Sequence, residues 1–336
     1  RGLGDVYKRQ AAITQNMNEG LLLLNGRQHI LSINDSAAKL FSIQSEAALG
    51  KNILTLERGK EVQELLQKVA DSGSGESLYQ KDGRYYQLCG SSVGGRGSVL
   101  LIFDVTEKMA AETLRREFSA NVSHELKTPL QSILGYAEIM KNGLVQEADK
   151  QRFLEKIYNE AGHLIVLIDN IMKLSRLDEA TGSGSNFEPV ELKKLTEATA
   201  ARLVSQAEKK SVTITVSGCE AEIEGVPSVL SEVIYNLVDN GIKYNREGGR
   251  VEVVVSVSPG EAVLTFKDTG CGISAADRER VFERFYRVDK SHFKETGGTG
   301  LGLSIVKHGV LFHKGRIELE SELEKGTTIR IILPRN

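Results

Sequence analysis

The chain has 336 residues, 40% of them hydrophobic and 26% charged, the balance of a globular protein long enough for about two or three compact units and too long for one small module. Lys and Arg number 43 against 45 Asp and Glu, a net charge of −2, so nothing global draws the chain toward nucleic acid or an anionic membrane. Cys89, Cys219 and Cys271 are far apart and form no C-x-x-C pair, which excludes a disulfide framework and a cysteine zinc site and reads as small buried fillers in a reducing compartment.

The first residue is Arg1, and Asp5–Gln10 (D-V-Y-K-R-Q) is what GAT-GTG-TAT-AAG-AGA-CAG encodes, a sequence that resembles the mosaic end of transposase-based libraries. Residues 1–10 are therefore expected to be a non-native tail. A transmembrane segment upstream would make the chain the cytoplasmic half of a receptor, and a start codon there would make it a soluble sensor. Within the chain no apolar run is longer than Val99–Phe103, whereas a spanning helix needs about twenty residues, so the expected location is cytoplasmic.

Residues 11–108 alternate short apolar runs with Gly, Asn, Asp and Ser clusters, which predicts a small mixed α/β domain with antiparallel strands. Leu114, Phe118, Val122, Leu126, Ile133, Ala137 and Met140 then recur every three or four residues, one apolar face of a long helix. After the turn residues Asn142–Asp149, Leu154, Ile157, Ala161, Leu164, Ile168, Ile171 and Ser175 mark a second helix. A lone helical hairpin (109–180) cannot enclose its own seam, and pairing two of them into a four-helix bundle predicts a homodimer. Thr181–Asn186 (T-G-S-G-S-N) reads as a linker. From 187 to 336 helices are expected near 191–210, 227–244 and 300–312. Strands are expected near 212–217, 251–257, 262–268, 315–320 and 327–333, giving a two-layer α/β sandwich of sequential antiparallel strands.

His124 lies in F-S-A-N-V-S-H-E-L-K-T-P-L, residues 118–130, about 200° round the helix from Val122 and about 160° from Leu126, so its imidazole points away from the seam. Glu125 is adjacent and Thr128 is one turn on, which gathers a nucleophile, a carboxylate and a hydroxyl in one solvated region. A neutral imidazole can attack phosphorus through one ring nitrogen while Glu125 accepts a hydrogen bond from the other. Pro129 removes a helical donor and is expected to bend the helix there. A zinc H-E-x-x-H site would need His where Thr128 stands. A merely solvated histidine is the bland alternative.

The segment 118–130 resembles the phosphoacceptor box of bacterial sensor histidine kinases of two-component systems. Asn236-Leu237-Val238-Asp239-Asn240-Gly241-Ile242-Lys243-Tyr244 is similar to the family's asparagine box, Asp268-Thr269-Gly270-Cys271-Gly272-Ile273 to its first glycine box, and Phe282-Glu283-Arg284-Phe285-Tyr286 to its phenylalanine box. Gly298-Thr299-Gly300-Leu301-Gly302-Leu303 resembles the second glycine box and Gly326-Thr327-Thr328 the short terminal one. Together, in family order, they are far more specific than any one alone.

The resemblance implies a Bergerat-type ATP fold in 187–336, with Asn240 as a Mg²⁺ ligand supported by Asn236. Both asparagines share one helix face, and their oxygens suit a hard cation. Lys243 extends that face as a phosphate countercharge. Asp268 would accept the adenine amino proton, with Gly270 and Gly272 letting the backbone approach the base, beside Ile273 and Tyr244. Gly298–Gly302 open a helix whose N–H groups suit phosphates. Thr327 and Phe285 belong to the implied site, and residues 287–299 form a lid whose base Phe282 and Phe285 anchor, core filling being the alternative for the two rings. Capping asparagines, a strand-terminal turn and a hinge remain the bland readings.

No Walker loop occurs, and the polar Ser291–Thr296 stretch before the glycines does not fit a dinucleotide fingerprint. The N-terminal N-M-N-E-G-L-L-L-L-N and the D-V-T-E at Asp104–Glu107 resemble the edges of PAS sensor domains. His29 reads as a surface residue, and Cys89 lacks the setting of a flavin-reactive cysteine.

The implied function is a dimeric kinase that autophosphorylates His124 from Mg·ATP and passes the phosphoryl group to an aspartate of a response regulator. Thr128 would orient a water for dephosphorylating that regulator. The alternatives are another Bergerat-fold ATPase of gyrase or chaperone type, a phosphatase-dominant sensor, or a non-catalytic scaffold. Two departures stand out. Val226-Pro227-Ser228-Val229 replaces the usual acidic and arginine positions, and Gly241 stands where Ala is common, at a helix cost of up to about 1 kcal/mol.

Overall fold

A computed structural model describes residues 17–94, 96–180, 187–288 and 298–335. The expected tail at 1–10, the linker at 181–186 and most of the expected lid lie outside the described residues. The chain divides into two compact units, one through Ser119 and one from Ala120.

In the first unit, strands β1 (Gly20–Asn25), β2 (Ile30–Ile33), β3 (Ser74–Lys81), β4 (Arg84–Val93) and β5 (Gly97–Asp104) form one antiparallel sheet in the order β2-β1-β5-β4-β3. Alternation decides which face is covered: Leu22, Leu24, Leu88, Leu100 and Ile102 are buried. Short helices α1 (Asp35–Leu40), α2 (Ser45–Ala48) and α3 (Ile53–Leu56) precede α4 (Lys60–Ser72), which presents Val62, Leu65, Leu66 and Val69 to that core. Helix α4 meets the sheet at Gly90, where an added Cβ would come within 2.5 Å of the Val69 side chain. Tyr79 donates its hydroxyl to Glu57 at 2.6 Å inside this unit.

Helix α5 (Thr106–Lys141) runs on without interruption through Pro129, and after the connecting turn α6 (Lys150–Ala180) returns. Nothing on α5 is buried. Its expected seam residues Phe118, Val122, Leu126 and Ile133 are half-buried, while Leu114 and Ala137 are exposed. Helix α6 buries a different set, Leu167, Leu174 and Leu177, on the face that packs against the C-terminal helix described next. From Ala120 onward the hairpin and the C-terminal region accordingly form one compact unit.

That region holds a sheet of β7 (Thr213–Gly218), β9 (Arg250–Ser258), β10 (Glu261–Asp268), β11 (Arg316–Glu322) and β12 (Gly326–Pro334), in the order β11-β12-β10-β9-β7. The strands near 212–217 and 251–257 were expected to be antiparallel neighbours. They are parallel, because the chain between them crosses over through the helix α9 (Pro227–Lys243). Two further strands, β6 (Glu188–Glu191) and β8 (Glu222–Gly225), pair as a small separate sheet that the alternation analysis did not predict. The single helix expected at 191–210 is broken into α7 (Leu192–Ala201) and α8 (Val204–Lys209). With α10 (Gly302–Phe312), these helices bury Val233, Leu237, Val306 and Val310 against Val253, Leu264 and Ile331 of the sheet.

The cysteines are not buried fillers. Cys219 and Cys271 are exposed and Cys89 is half-buried, all as free thiols, because Cys89 alternates with the buried Leu88 and Gly90 on β4 and so faces away from the core, while Cys219 and Cys271 lie just after β7 and β10. No helix among the described residues is long and apolar enough to cross a membrane.

Candidate active site

His124 projects from α5 with its side chain 79% exposed. Glu125 stands beside it, but its carboxylate is 3.8 Å from His124 Nδ1, too far for the expected hydrogen bond. The other Glu125 oxygen faces the Arg287 guanidinium, also at 3.8 Å. Thr128 turns its hydroxyl back along the helix and donates to the His124 carbonyl at 3.2 Å. In this rotamer it satisfies its own helix rather than a water.

The asparagine box occupies α9. Asn236 donates its amide nitrogen to the Glu232 carbonyl at 2.8 Å and to the Glu232 carboxylate at 3.2 Å. This turns Asn236 Oδ1 toward α10, where a Cβ on Gly302 would come within 2.9 Å of it and within 3.9 Å of the Asn240 amide. The two asparagines therefore face the helix opened by the second glycine box. Lys243 departs from its expected role: its ammonium pairs with Asp239 at 2.7 Å, and Asp239 also accepts from Gln206 at 2.7 Å. The countercharge is engaged one turn back on its own helix. Gly241 is buried where α9 meets β9, and an added Cβ would lie 3.0 Å from Val251, so its small size lets helix and sheet close together.

Asp268 ends β10 half-buried. Its Oδ1 accepts from the backbone N–H of Gly270 at 2.8 Å and of Thr327 at 3.2 Å, tying the first glycine box to the terminal one. Burial pushes its carboxyl above the ordinary value, against those two donors, which pull it down. Gly270 and Gly272 make close approaches to the protein's own chain. A Cβ on Gly270 would meet the Tyr244 carbonyl at 2.4 Å, and one on Gly272, at φ +69°, would meet the Glu322 carbonyl at 2.0 Å. Ile273 N–H donates to Ser321 Oγ at 2.8 Å, and that hydroxyl lies 2.9 Å from Thr327 Oγ1. Ser321 is a buried support that no motif flagged.

Phe285 adopts φ +63°, unusual for a bulky residue. Its N–H bonds the Gly300 carbonyl at 2.9 Å, and a Cβ on Gly300 would clash with the Phe285 backbone at 2.9 Å. The phenylalanine and second glycine boxes are thus one backbone-to-backbone contact. Gly298 faces the Tyr244 hydroxyl, which is 3.1 Å from where its Cβ would stand. Leu301, fully buried, caps α10 at its start, and Thr299 Oγ1 accepts from the Leu301 N–H at 3.3 Å. Motif reading missed Arg287, Asn170, Lys173 and Glu232; single polar residues outside a box carry no signal of their own.

Family models match three stretches of the chain: PAS fold over residues 8–95, His Kinase A (phospho-acceptor) domain over 114–180, and histidine kinase-, DNA gyrase B-, and HSP90-like ATPase over 225–336. Sensor protein kinase WalK of Staphylococcus aureus is 31% identical over 337 residues, which span 97% of this chain and 81% of that protein. The chain belongs to the sensor histidine kinases. Sensor histidine kinase WalK of Bacillus subtilis (strain 168) is 32% identical over 338 residues, covering 97% of this chain and 55% of the relative. This histidine kinase chain thus spans about half the length of that curated relative. Its fold resembles that of the histidine kinase ThkA in complex with response regulator protein TrrA, with a TM-score of 0.53 at 21% identity over 97% of this chain and 98% of that one. A second likeness of fold is to the Acinetobacter baumannii histidine kinase AdeS, with a TM-score of 0.53 at 20% identity over 63% of this chain and 98% of that one.

Proposed function

We propose that this chain autophosphorylates His124 from Mg·ATP and passes the phosphoryl group to an aspartate of a response regulator, with Thr128 serving the reverse dephosphorylation after a change of rotamer. The observation that carries the reading is that the ATP-site boxes and His124 belong to one compact unit, where Arg287, just after the phenylalanine box, reaches Glu125 beside His124. Along the chain, residues 11–108 act as a PAS-like sensor domain, 109–180 as the dimerising phosphotransfer hairpin, 181–186 as linker and 187–336 as ATP domain, with 1–10 a non-native tail. The protein works as a homodimer on the cytoplasmic side.

The donor set fits Mg²⁺. With its amide nitrogen held by Glu232, Asn236 leaves Oδ1 as an oxygen donor near Asn240, and hard cations take oxygen ligands. Asn240 would hold the ion, which would supply positive charge against the nucleotide phosphates. The protein's own contribution is positioning. Asp268 offers its carboxylate to the base, Gly298–Gly302 present the backbone donors at the start of α10, and Glu125 assists the His124 imidazole once it closes to hydrogen-bond distance.

Incubation with γ-labelled ATP tests the reading. Acid-labile label on the wild type and none on His124→Gln is the expected result; label surviving in His124→Gln would overturn the assignment. Asn240→Ala should lose Mg·ATP affinity while the hairpin stays dimeric.

A further inference from the structure

Between α4 and the sheet the first unit is filled: Leu65, Leu88 and Leu100 are buried there, and a Cβ on Gly90 would meet Val69 at 2.5 Å. A cavity of about 330 Å³ opens instead at the end of the sheet, between α1 and the turn joining β3 to β4, a volume in the range of small-molecule sites. Local geometry sets its place. Gly20 lets the start of β1 approach α1, since an added Cβ would lie 2.9 Å from Ile102 and 3.3 Å from Ala37. Asp82 and Gly83 both take positive φ, +49° and +76°, in the two-residue turn that sets Lys81 opposite Arg84. Asp82 and Arg84 thereby line the cavity.

Two cations and two carboxylates surround this space, Lys39 and Arg84 with Asp82 and Asp104, and Tyr86 and the buried Ile102 supply an apolar wall. The four charges are not equally engaged. Asp104 Oδ1 accepts from the Thr106 N–H at 3.0 Å and from its hydroxyl at 2.6 Å, and Oδ2 lies 3.5 Å from the Arg84 guanidinium. That contact leaves most of the guanidinium donors open. The side chains of Lys39 and Asp82 have no ion-pair partner among the described residues. Open charges of both signs select a ligand by charge. A simple anion drawn to Lys39 and Arg84 is repelled by the two carboxylates, and a simple cation meets the reverse, whereas a molecule with one charge of each sign satisfies both.

We propose that this cavity binds a small zwitterion of the α-amino acid kind, its carboxylate held by Lys39 and Arg84 and its ammonium by Asp82. The ligand's own side chain rests on Tyr86 and Ile102. The proposal rests on the reading of 11–108 as a sensor domain and names the class of ligand sensed.

The test uses the full chain and titration calorimetry with the standard L-α-amino acids taken singly, and with succinate and putrescine as probes of one sign only. At least one amino acid should bind with a Kd between about a micromolar and about a millimolar, and neither single-sign probe should. The N-acetyl and amide derivatives of that amino acid each lack one charge and should bind about ten-fold or more weakly. Asp82→Asn, which keeps a residue tolerant of positive φ, and Arg84→Gln should weaken binding by the same factor. Lys39→Met, outside the turn, should do so too and guards against a turn defect in the other two. No binding of any amino acid up to about ten millimolar overturns the proposal, as does succinate or putrescine binding as tightly as the best amino acid. Affinity unchanged in all three variants overturns the assignment to this cavity. Binding with an unchanged rate of His124 labelling leaves the cavity standing and overturns the sensor reading of 11–108.

Discussion

The Glu125 carboxylate and the Arg287 guanidinium lie 3.8 Å apart, with side chains 31% and 20% exposed. One residue stands beside His124, the proposed phosphoacceptor, and the other follows the phenylalanine box, so this pair links the two parts of the proposed chemistry. At that separation and exposure an ion pair contributes at most about 1 kcal/mol to stability. Its importance lies in where it holds the ATP domain. Arg287→Ala should leave the melting temperature within a few degrees and lower the rate of His124 labelling by about ten-fold or more, equivalent to about 1.4 kcal/mol of positioning. Rapid-quench labelling at saturating ATP reads this. A rate within about two-fold of wild type would remove the pair from the mechanism.

Asp268 is predicted to trade stability for binding. Burial raises its carboxyl above the ordinary value, so the folded state holds its proton more tightly than the unfolded one, and stability from this group falls as pH rises through that interval. Asp268→Asn keeps Oδ1 for the Gly270 and Thr327 N–H groups and removes the buried charge. Melting at neutral pH should rise by a few degrees. ATP affinity should fall by about ten- to a hundred-fold, the size of one lost hydrogen bond to a charged group. Calorimetric melting and nucleotide titration on the same sample separate the two effects.

His313 is predicted to set an acid limit on the ATP domain. The ring is 3% exposed, its Nε2 accepts from the Val226 N–H at 2.9 Å, and Nδ1 lies 2.8 Å from the Gly309 carbonyl. Phe187 and Phe312 flank it, with ring centroids 5.4 and 5.1 Å away. Burial lowers its pKa, against the Gly309 bond, so the unfolded chain binds the proton first. Stability is full above the unfolded value of about 6.5 and is lost as pH falls from there toward the folded value. Urea midpoints should drop between about pH 7.5 and about pH 5. His313→Gln, which can still accept from Val226, should flatten the drop.

The exposed apolar residues of the hairpin are predicted to form the dimer seam. Leu130, Leu134 and Leu154 are 56%, 66% and 50% exposed, and Ile165 is 60% exposed, more apolar surface than a solvated hairpin would keep uncovered. Leu134→Asp and Ile165→Asp should shift sedimentation from dimer to monomer while Mg·ATP binding persists. A dimer that survives both changes would place the interface elsewhere.

Much of this protein was legible from the order of its residues. Periodicity located the long hairpin helices, α9 and α10, and most strands, because each element's buried face repeats at its own local spacing: Val251, Val253 and Val255 on β9, or Val233 and Leu237 on α9. The boxes mark the proposed site because phosphate and base recognition need particular residue types at short separations. Pairing direction was not legible. Whether β7 and β9 run parallel depends on how α9 carries the chain across the sheet, and the strands read the same either way. Charge partners were also hidden: Lys243 looked like a free countercharge until folding placed it against Asp239, and Gly270 and Gly272 looked like room for a base until the Tyr244 and Glu322 carbonyls came to fill it. Sequence by itself determined which local elements form and which residue types the chemistry has, since both rest on neighbours a few positions apart. Only the tertiary structure decided who meets whom across long separations, Asn170 with Thr299 and Glu125 with Arg287, because such contacts follow from how whole faces pack and leave no periodic trace at either end.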